Sequence, residues 1–301
     1  MNMKPNKPVS LLLAGLFALL PALAGADTLE RVRSNNAFTM GYLPDLAPFT
    51  SGEGGKASGY AIEICQKIAE RVQAGLGLTD MQANYKALSL GKVVEAIKAG
   101  EVDLFCSPTP ETLEHRKSVS FSRPVYTAGL SVLVRKDAHP SLVNVLNGEA
   151  VHTGPTWRAT INQGLASHTF AAIKGGVTED WVRDKMRKLG VIATLINVDS
   201  HEAGVKMVAE GKASAFFSER MLLQNYVQEH AAAGDMMVLE RIFEIAPVSM
   251  ALARGDEDFR LLVDTAISEM YQSGEMELLH TRYFGAPGEM LKILSRVYAL
   301  P

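Results

Sequence analysis

The chain has 301 residues, 47% of them hydrophobic and 21% charged, and its formal net charge at pH 7 is −3. A chain of this length can form one large domain or two lobes. The mildly acidic balance argues against a nucleic-acid-binding protein, and beyond residue 26 no segment is long and apolar enough to span a membrane.

The N-terminal segment has the three parts of a secretory signal peptide. Lys4 and Lys7 provide a basic start, residues 9–20 form an apolar run, and residues 24–26 read Ala-Gly-Ala, a small-residue cleavage pattern. The apolar run is short for a bilayer span, so a retained anchor is the less favoured alternative. We therefore predict that residues 1–26 are removed on export, which takes away two of the 30 basic residues and none of the 33 acidic ones.

The first half of the mature chain alternates between strand and helix patterns. The predicted elements are strands at 37–42 and 83–87 and helices at 59–73 and 93–99. A loop rich in Pro and Gly, residues 43–58, lies between the first strand and the first helix, and Gly100 gives the second helix a normal stop.

Residues 100–126, GEVDLFCSPTPETLEHRKSVSFSRPVY, combine a buried strand with a polar turn. The apolar run at 102–106 predicts the strand, and residues 111–116 can begin a short helix with acids before bases. Residues 119–125 predict a second strand. Hydroxyls and free backbone N–H groups at the end of a strand are suited to binding a small anion in an α/β protein. An ordinary strand–turn–helix connection is the alternative that these residues alone leave open.

The second half repeats the alternation and then returns to the first. The predicted elements are strands at 130–134, 193–198 and 213–217, helices at 157–165, 178–189 and 200–211, a returning segment at 243–252, and a long amphipathic segment at 256–284. This pattern predicts two lobes, one formed by residues 27–135 and 247–301 and the other by residues 136–246, with the first crossover at residues 135–137. Ligands of such α/β sheets bind at the carboxyl ends of the strands, here between the lobes.

The central stretch resembles the signature region of the periplasmic amino-acid-binding proteins. These are the family 3 solute-binding proteins of ABC importers, and the likeness is strongest to the polar and acidic amino-acid branch. It is carried by G-x-hydrophobic-D-L-x-C-x-P-T-x-x-T-L-x-x-R followed by F-S-x-P, and it extends from about Thr28 to Gly285. It implies an α/β, two-lobed type II periplasmic-binding-protein fold, with two mixed, mostly parallel sheets joined by two hinge crossings.

The resemblance also implies positions that contact the ligand in both lobes. They are Phe49, Thr109, Thr112, His115 and Arg116 in the first lobe and Gly154, Thr156, Trp157 and Glu219 in the second. The family's carboxylate-binding Arg falls on His115, with Arg116 one residue later, Pro110 replaces a hydroxyl, and Glu219 stands where Asp is usual. Arg116 is then the expected anchor for an anionic group, because a guanidinium is always charged. Binding through His115, as a cation or a neutral donor, and a ligand that is not a simple α-amino acid are the alternatives. Phe49 as a core residue, His115 as a surface residue and residues 154–156 as an ordinary turn remain alternatives.

Two cysteines remain in the mature chain, Cys65 on the first helix and Cys106 at the end of the central strand. Both positions carry Cys in relatives of this branch, and an oxidising compartment favours their pairing. Two buried free thiols are the alternative. The spacing lacks CxxC or a zinc pattern, so we expect no metal site and no cofactor.

The resemblance implies a periplasmic, monomeric binding protein that closes over a small polar solute, such as an amino acid, and delivers it to an inner-membrane ABC permease. Two other functions stay open. One is a non-transport accessory or sensor protein on the same fold. The other is an enzyme similar to cyclohexadienyl dehydratase, with Glu219 as an acid. We predict that the chain is not an enzyme, because no second positioned catalytic group is recognisable and the ligand Arg is missing.

Overall fold

The computed structural model describes residues 28–53, 56–149, 165–229 and 234–301. The helices are α1 (Thr28–Asn35), α2 (Tyr60–Leu76), α3 (Val93–Lys98), α4 (Leu113–Arg116), α5 (Pro140–Asn147), α6 (Val177–Leu189), α7 (His201–Ala209), α8 (Arg220–Glu229), α9 (Glu257–Ser273), α10 (Glu275–Phe284) and α11 (Glu289–Tyr298). The strands are β1 (Ala37–Tyr42), β2 (Asp45–Leu46), β3 (Thr50–Ser51), β4 (Gln82–Ala87), β5 (Leu104–Pro110), β6 (Ser120–Arg135), β7 (Thr169–Ile173), β8 (Thr194–Val198), β9 (Ala215–Glu219), β10 (Met236–Val238) and β11 (Glu244–Leu252). Within these residues no helix is long and apolar enough to cross a membrane.

The main sheet has the strand order β4-β1-β5-β11-β6-β9-β7-β8, with β10 also paired to β6. In the first half, β1 runs parallel to β4 and to β5, whereas β11 returns antiparallel to β5. In the second half, β7 runs parallel to β8 and to β9, whereas β9 is antiparallel to β6. Each half is therefore a mixed, mostly parallel sheet, which confirms the expected fold class.

Two strands, β6 and β11, connect the halves. The first part of β6 pairs with β11 as far as Leu130, and residues 130–133 of β6 pair with β9. The hydrogen bonding is thus continuous through β6, where the sequence predicted two strands with a crossover at residues 135–137. The expected lobe boundaries, 135/136 and 246/247, lie close to this change of partner and remain predictions, because hydrogen bonding does not show which residues move together.

Pro124 lies inside β6, although Pro cannot donate to a sheet ladder. It is placed opposite Ser249, where the register between β11 and β6 shifts. A Pro within a sheet is tolerated at such irregularities. The two strand patterns at 119–125 and 130–134 are consequently parts of one 16-residue strand.

The first half is stabilised by a disulfide between α2 and β5. Cys65 and Cys106 are bonded, their Cα atoms are 6.1 Å apart, and both residues are inaccessible to solvent. They belong to the largest apolar cluster, which packs α2 and α9 against β1, β5 and β11. The bond fixes a helix to the strand that leads into the cleft described below.

The C-terminal part contains a helix that the sequence patterns did not predict. The long amphipathic segment is divided into α9 and α10 by Gly274, whose φ of +82° is a left-handed conformation that favours glycine. After α10, helix α11 returns to β6, where Arg123 donates hydrogen bonds to the carbonyls of Tyr298 and Val297. The predicted segment ended at residue 284, before this helix.

Candidate binding cleft

A cavity of about 660 Å³ is lined by residues from both halves of the molecule, and the connecting strands form its floor. Opposite residues of an antiparallel pair point to the same face of a sheet. The floor consists of three such pairs, Tyr126–Val248, Ala128–Ala246 and Leu130–Glu244, all of which line the cavity. The floor is mostly apolar and carries one carboxylate at the end nearer the second half.

The first-half wall is also mostly apolar. It is formed by the segment after β1, by α3 with the turn before it, and by β5. The lining side chains include Leu43, Leu46, Leu90, Val93, Val94, Ile97 and Phe105. This wall can cover the apolar part of a ligand, and the carboxylate that it carries, Glu111, is paired with Arg116.

The hydroxyls on the first-half wall are already engaged within that half. Ser107 Oγ accepts a hydrogen bond from the Leu43 N–H at 2.8 Å and lies 2.9 Å from Thr50 Oγ1. Thr109 Oγ1 donates to the Ser107 carbonyl at 3.0 Å, and Thr112 Oγ1 caps α4 by accepting from the His115 N–H at 3.0 Å. Their remaining lone pairs are free to accept from a ligand, so this side presents acceptors and few donors.

His115 and Arg116 have different surroundings in the structure. His115 lines the cleft, and its Nδ1 lies 3.3 Å from the Pro110 carbonyl, to which it must donate because a carbonyl oxygen only accepts. The Arg116 side chain is 61% exposed, pairs with Glu111 and is not among the lining residues. The structure therefore brings together Phe49, Thr109, Thr112, His115 and Glu219 around the cavity, but it does not bring Arg116 there.

Phe49 lines the cleft and also belongs to the core. It is only 4% exposed. Its ring centroid lies 4.9 Å from that of Tyr126, 5.1 Å from that of Phe284 and 6.3 Å from that of Tyr60. The ring is therefore held in place by edge and tilted contacts with other aromatic rings, which fixes the shape of this end of the cavity.

Gly154, Thr156 and Trp157 lie outside the described residues. The second-half wall contains another strand–turn–helix that the sequence reasoning did not select, residues 174–178 (Lys-Gly-Gly-Val-Thr), between β7 and α6. Gly175 has a φ of +70°, and its N–H donates to Glu179 Oε2 at 2.8 Å. The sequence does contain a pattern for this strand–turn–helix, namely an apolar run, two glycines and two acidic residues in the next helical turn. The strand TFAAI was not among the predicted elements.

Helix α6 begins at the cleft, at Val177. The first N–H groups of a helix have no partner within it, and the helix dipole is positive at this end. Lys174 and Thr178 line the same corner, and the Lys174 side chain is exposed. This corner is suited to an anionic group such as a carboxylate.

Glu219, at the end of β9, is held by backbone donors. Its carboxylate accepts from the Leu222 N–H at 2.9 Å and from the Gly129 N–H at 3.5 Å. Burial raises the pKa of Glu219 to about 7, and hydrogen bonds from backbone N–H groups partly oppose that rise. Gly129 belongs to β6, so Glu219 links the second half to a connecting strand.

A second carboxylate lies in the same row of the sheet as Glu219. Leu130 of β6 is paired with Glu219 on one side and with Glu244 on the other, and all three residues line the cleft. Glu244 Oε2 accepts from the Trp181 indole N–H at 3.1 Å. The two carboxylates therefore flank the floor, separated by one strand, and form the acidic side of the cavity.

His201 is a further cleft residue that the sequence did not indicate. It is 8% exposed, and its Nε2 lies 3.0 Å from Ser218 Oγ. Burial lowers the pKa of the imidazole, so His201 is neutral at neutral pH. No spacing pattern in the sequence marks it, because it is brought to the cleft by the packing of α7 against β9.

The charged and titratable groups around the cavity are few. In the described part of the chain they are Glu111, Glu219, Glu244, Lys174, His115, His201 and the phenol of Tyr126. No Arg is among these lining residues. The same described residues contain no group of three or more His, Cys, Asp or Glu side chains placed to hold a metal ion.

Two lobes around a cleft, joined by two crossing strands, define the type II periplasmic-binding-protein class. Solved structures share this fold. An ancestral amino acid-binding protein, a precursor of cyclohexadienyl dehydratase, superposes with a TM-score of 0.68 at 18% identity, covering 86% of this chain and all of that one. A Streptococcus pneumoniae amino acid ABC transporter substrate-binding protein bound to L-arginine superposes with a TM-score of 0.67 at 21% identity, covering 85% and 97% of the two chains.

The sequence profile of the bacterial extracellular solute-binding proteins, family 3, matches residues 38–286, and the chain belongs to this family. An L-glutamate/L-aspartate-binding protein of Pseudomonas aeruginosa is 26% identical over 288 residues, which are 93% of this chain and 88% of that protein. An L-cystine-binding protein of Escherichia coli is 21% identical over 278 residues, 91% and 92% of the two chains. The family expected from the sequence is confirmed.

Proposed function

We propose that this protein is the solute-binding component of an ABC importer and holds a small zwitterionic solute, an amino acid or a related compound, between its lobes. The observation that supports this most is the composition of the cleft. Its walls come from both halves, and its floor is made of the two strands that connect them. Rotation of one lobe toward the other about such crossings encloses a ligand without making or breaking a bond.

The charges suggest how the solute is oriented. A carboxylate fits the corner formed by Lys174 and the start of α6, where a cation and free N–H groups converge. An ammonium group fits between Glu219 and Glu244, on the acidic side of the floor. The apolar part of the solute then lies against the first-half wall. Arg116 as the carboxylate anchor, and contacts from Gly154, Thr156 and Trp157, remain predictions.

Export and location belong to the same proposal. The profile that matches the chain describes extracellular proteins. Residues 1–26 then act as a cleaved signal peptide, and the mature protein is a periplasmic monomer that delivers its solute to an inner-membrane permease. N-terminal sequencing of the periplasmic protein should begin at Asp27, and a start upstream of Ala22 contradicts the assignment.

Thermal unfolding in the presence of a solute panel tests the binding function. Amino acids of each charge class and related zwitterions are added in turn, and a specific ligand at 100 times its Kd stabilises the folded state by about 2.7 kcal/mol. A raised melting temperature with one class, reduced in Lys174→Ala, supports the proposal. If no solute changes the melting temperature, the accessory or sensor function on the same fold is favoured instead.

One observation favours testing an enzymatic alternative. Glu219 has a pKa of about 7 in a cleft, and such carboxyls are often acids in catalysis. A dehydratase-like reaction would use Glu219 to protonate a leaving hydroxyl. Incubation with prephenate, followed by chromatography, decides this. If wild type converts prephenate and Glu219→Gln does not, the protein is an enzyme. If wild type leaves prephenate unchanged, the binding function is favoured.

A further inference from the structure

A second cavity, of about 420 Å³, lies on the other side of β6 from the cleft. Successive side chains of a strand point to opposite faces, and Val125 and Thr127 line this second cavity, whereas Ala128 lines the cleft. Tyr126 lines both cavities. The two spaces are therefore distinct and share one aromatic wall residue on a connecting strand.

Helix α11 provides one wall of this second cavity. Leu291, Leu294, Arg296 and Tyr298 line it, and all of them follow residue 286, the last that the family profile matches. Tyr298 is fixed against β6, because its hydroxyl lies 3.1 Å from Thr127 Oγ1 and its carbonyl accepts from Arg123. One wall of the cavity is thus formed by a part of this chain that lies beyond the residues matched by the family profile.

Aromatic rings line two sides of the second cavity. Tyr126 and His280 are stacked, with centroids 6.1 Å apart and planes 18° apart. Tyr271 and Tyr298 form a tilted pair with centroids 6.1 Å apart. Flat faces at these positions favour a planar ring as the occupant, because offset and edge contacts between aromatic rings add to the burial of apolar area.

Three polar groups on the lining rings, those of Tyr60, Tyr271 and His280, have already donated a hydrogen. Tyr60 OH donates to the Val125 carbonyl at 2.6 Å, and Tyr271 OH donates to the Pro124 carbonyl at 2.9 Å. His280 Nδ1 lies 3.2 Å from the Gly285 carbonyl and donates to it, and burial lowers the pKa of the imidazole. Neutral His280 therefore keeps Nε2 as an acceptor, and an occupant with an N–H or O–H group is complementary.

The charge at the second cavity is set by Arg296, Lys292 and Glu277. Lys292 pairs with Glu289 at 3.0 Å. Arg296 has no carboxylate partner among the residues that the structure describes, so its guanidinium is available to a ligand. An Arg binds a carboxylate with two parallel hydrogen bonds, which makes an acid the best matched charged group.

We propose that this second cavity binds a small aromatic carboxylic acid that carries a ring N–H or O–H group. The ring lies between the two aromatic pairs, the carboxylate is bound by Arg296, and the ring donor meets the free acceptors of Tyr60, Tyr271 or His280. A cavity of this volume is within the range of small-molecule sites. The occupant also contacts Tyr126, so the two cavities are in physical contact through one side chain.

Calorimetric titration of the full mature protein with indole-3-acetate and 4-hydroxybenzoate tests the site. We expect binding by wild type and an affinity at least about fivefold lower in Arg296→Gln, which removes the charge-assisted hydrogen bonds to the carboxylate. Arg33→Gln is the matched control, because Arg33 is an exposed helical Arg that lines neither cavity. Ala246→Phe, which fills the floor of the cleft, should leave the affinity unchanged.

A second comparison does not depend on any variant. Indole-3-acetamide has the same ring without the charge, and it should bind wild type at least about fivefold more weakly than indole-3-acetate. Equal affinities of wild type and Arg296→Gln for the acid overturn the proposal. If Ala246→Phe loses acid binding but keeps its melting temperature, the acid binds in the cleft and the proposal is overturned. The proposal is also overturned if neither acid binds to wild type.

Discussion

The two walls of the cleft differ in what they offer a ligand. The first-half wall is apolar, its hydroxyls are bonded within that half, and it is fixed by a disulfide between α2 and β5. The second-half wall carries Lys174, the start of α6, the half-buried carboxyl of Glu219 and the buried imidazole of His201. The difference suggests that the first wall selects a solute by shape and the second by charge.

The two walls also differ in the interactions that stabilise them. The first is stabilised by a covalent bond and by closely spaced aromatic rings around Phe49. The second depends on hydrogen bonds between a titratable carboxylate and backbone N–H groups, one of them in β6. We therefore expect the stability of the first wall to respond to reductant and that of the second wall to respond to pH.

Removal of the disulfide should have the largest effect on stability. The bond encloses a loop of 41 residues, and the chain-entropy relation gives about 3–4 kcal/mol for a loop of that length. Urea unfolding of wild type with and without reductant should show this loss, and Cys65→Ala/Cys106→Ala should be insensitive to reductant. Equal stability of oxidised and reduced wild type would falsify the first half of the comparison.

Glu219 should make stability fall as the pH rises. Its pKa is about 7 in the folded state, above the value of about 4.3 in an unfolded chain. At pH values between these two pKa values, the folded state binds more protons than the unfolded state. The free energy of unfolding therefore decreases from pH 5 to pH 8, by about 2–3 kcal/mol from this group. At a pH below both pKa values, the stabilisation from Glu219 is fully present.

Urea unfolding at pH 5 and at pH 8 measures that effect. Glu219→Gln, which cannot titrate, should lose less stability than wild type across this interval, and other titrating groups cancel in the comparison. Glu219→Asp keeps a titratable carboxyl and serves as the control. If wild type and Glu219→Gln show the same change with pH, the buried carboxylate does not control the second wall.

Lys174 and Arg116 should differ in their effect on solute affinity. Lys174 lines the cleft, whereas Arg116 is exposed and paired with Glu111 outside the lining. Lys174→Ala should weaken binding of the solute recovered from the protein by about twofold to fivefold, the size expected for an exposed charge. Arg116→Ala should change it by less than about twofold. Calorimetry that finds the reverse order would restore Arg116 as the anchor.

Much of the first half could be predicted from the sequence. The strand at 102–106 and the amphipathic helix at 59–73 have clear periodicity, and both lie close to β5 and α2. Phe49, Thr109, Thr112 and His115 all line the cleft, because strand ends in an α/β sheet converge on one edge. Arg116 follows His115 by one residue, and on a helix that single step turns the side chain away from the cavity.

The second half was harder to predict. β7 is a five-residue strand, TFAAI, whose two alanines weaken its apolar signal, so the turn at 174–178 was not recognised as part of the site. Glu244, Trp181 and His201 reach the cleft through strand pairing and helix packing over long sequence separations, which no local pattern encodes. Helix α11 follows a resemblance that extends to about Gly285, so nothing in the family pattern pointed to it or to the second cavity.

The central claim is that the cleft between the lobes holds a small solute. Mass spectrometry of small molecules released by denaturing the purified protein tests it most directly, with Ala246→Phe as the cleft-filled comparison and its melting curve as the folding control. We predict that wild type releases one zwitterionic solute and that Ala246→Phe, still folded, releases at least about tenfold less of it. Release of equal amounts by both proteins, or of no solute by wild type, would contradict it.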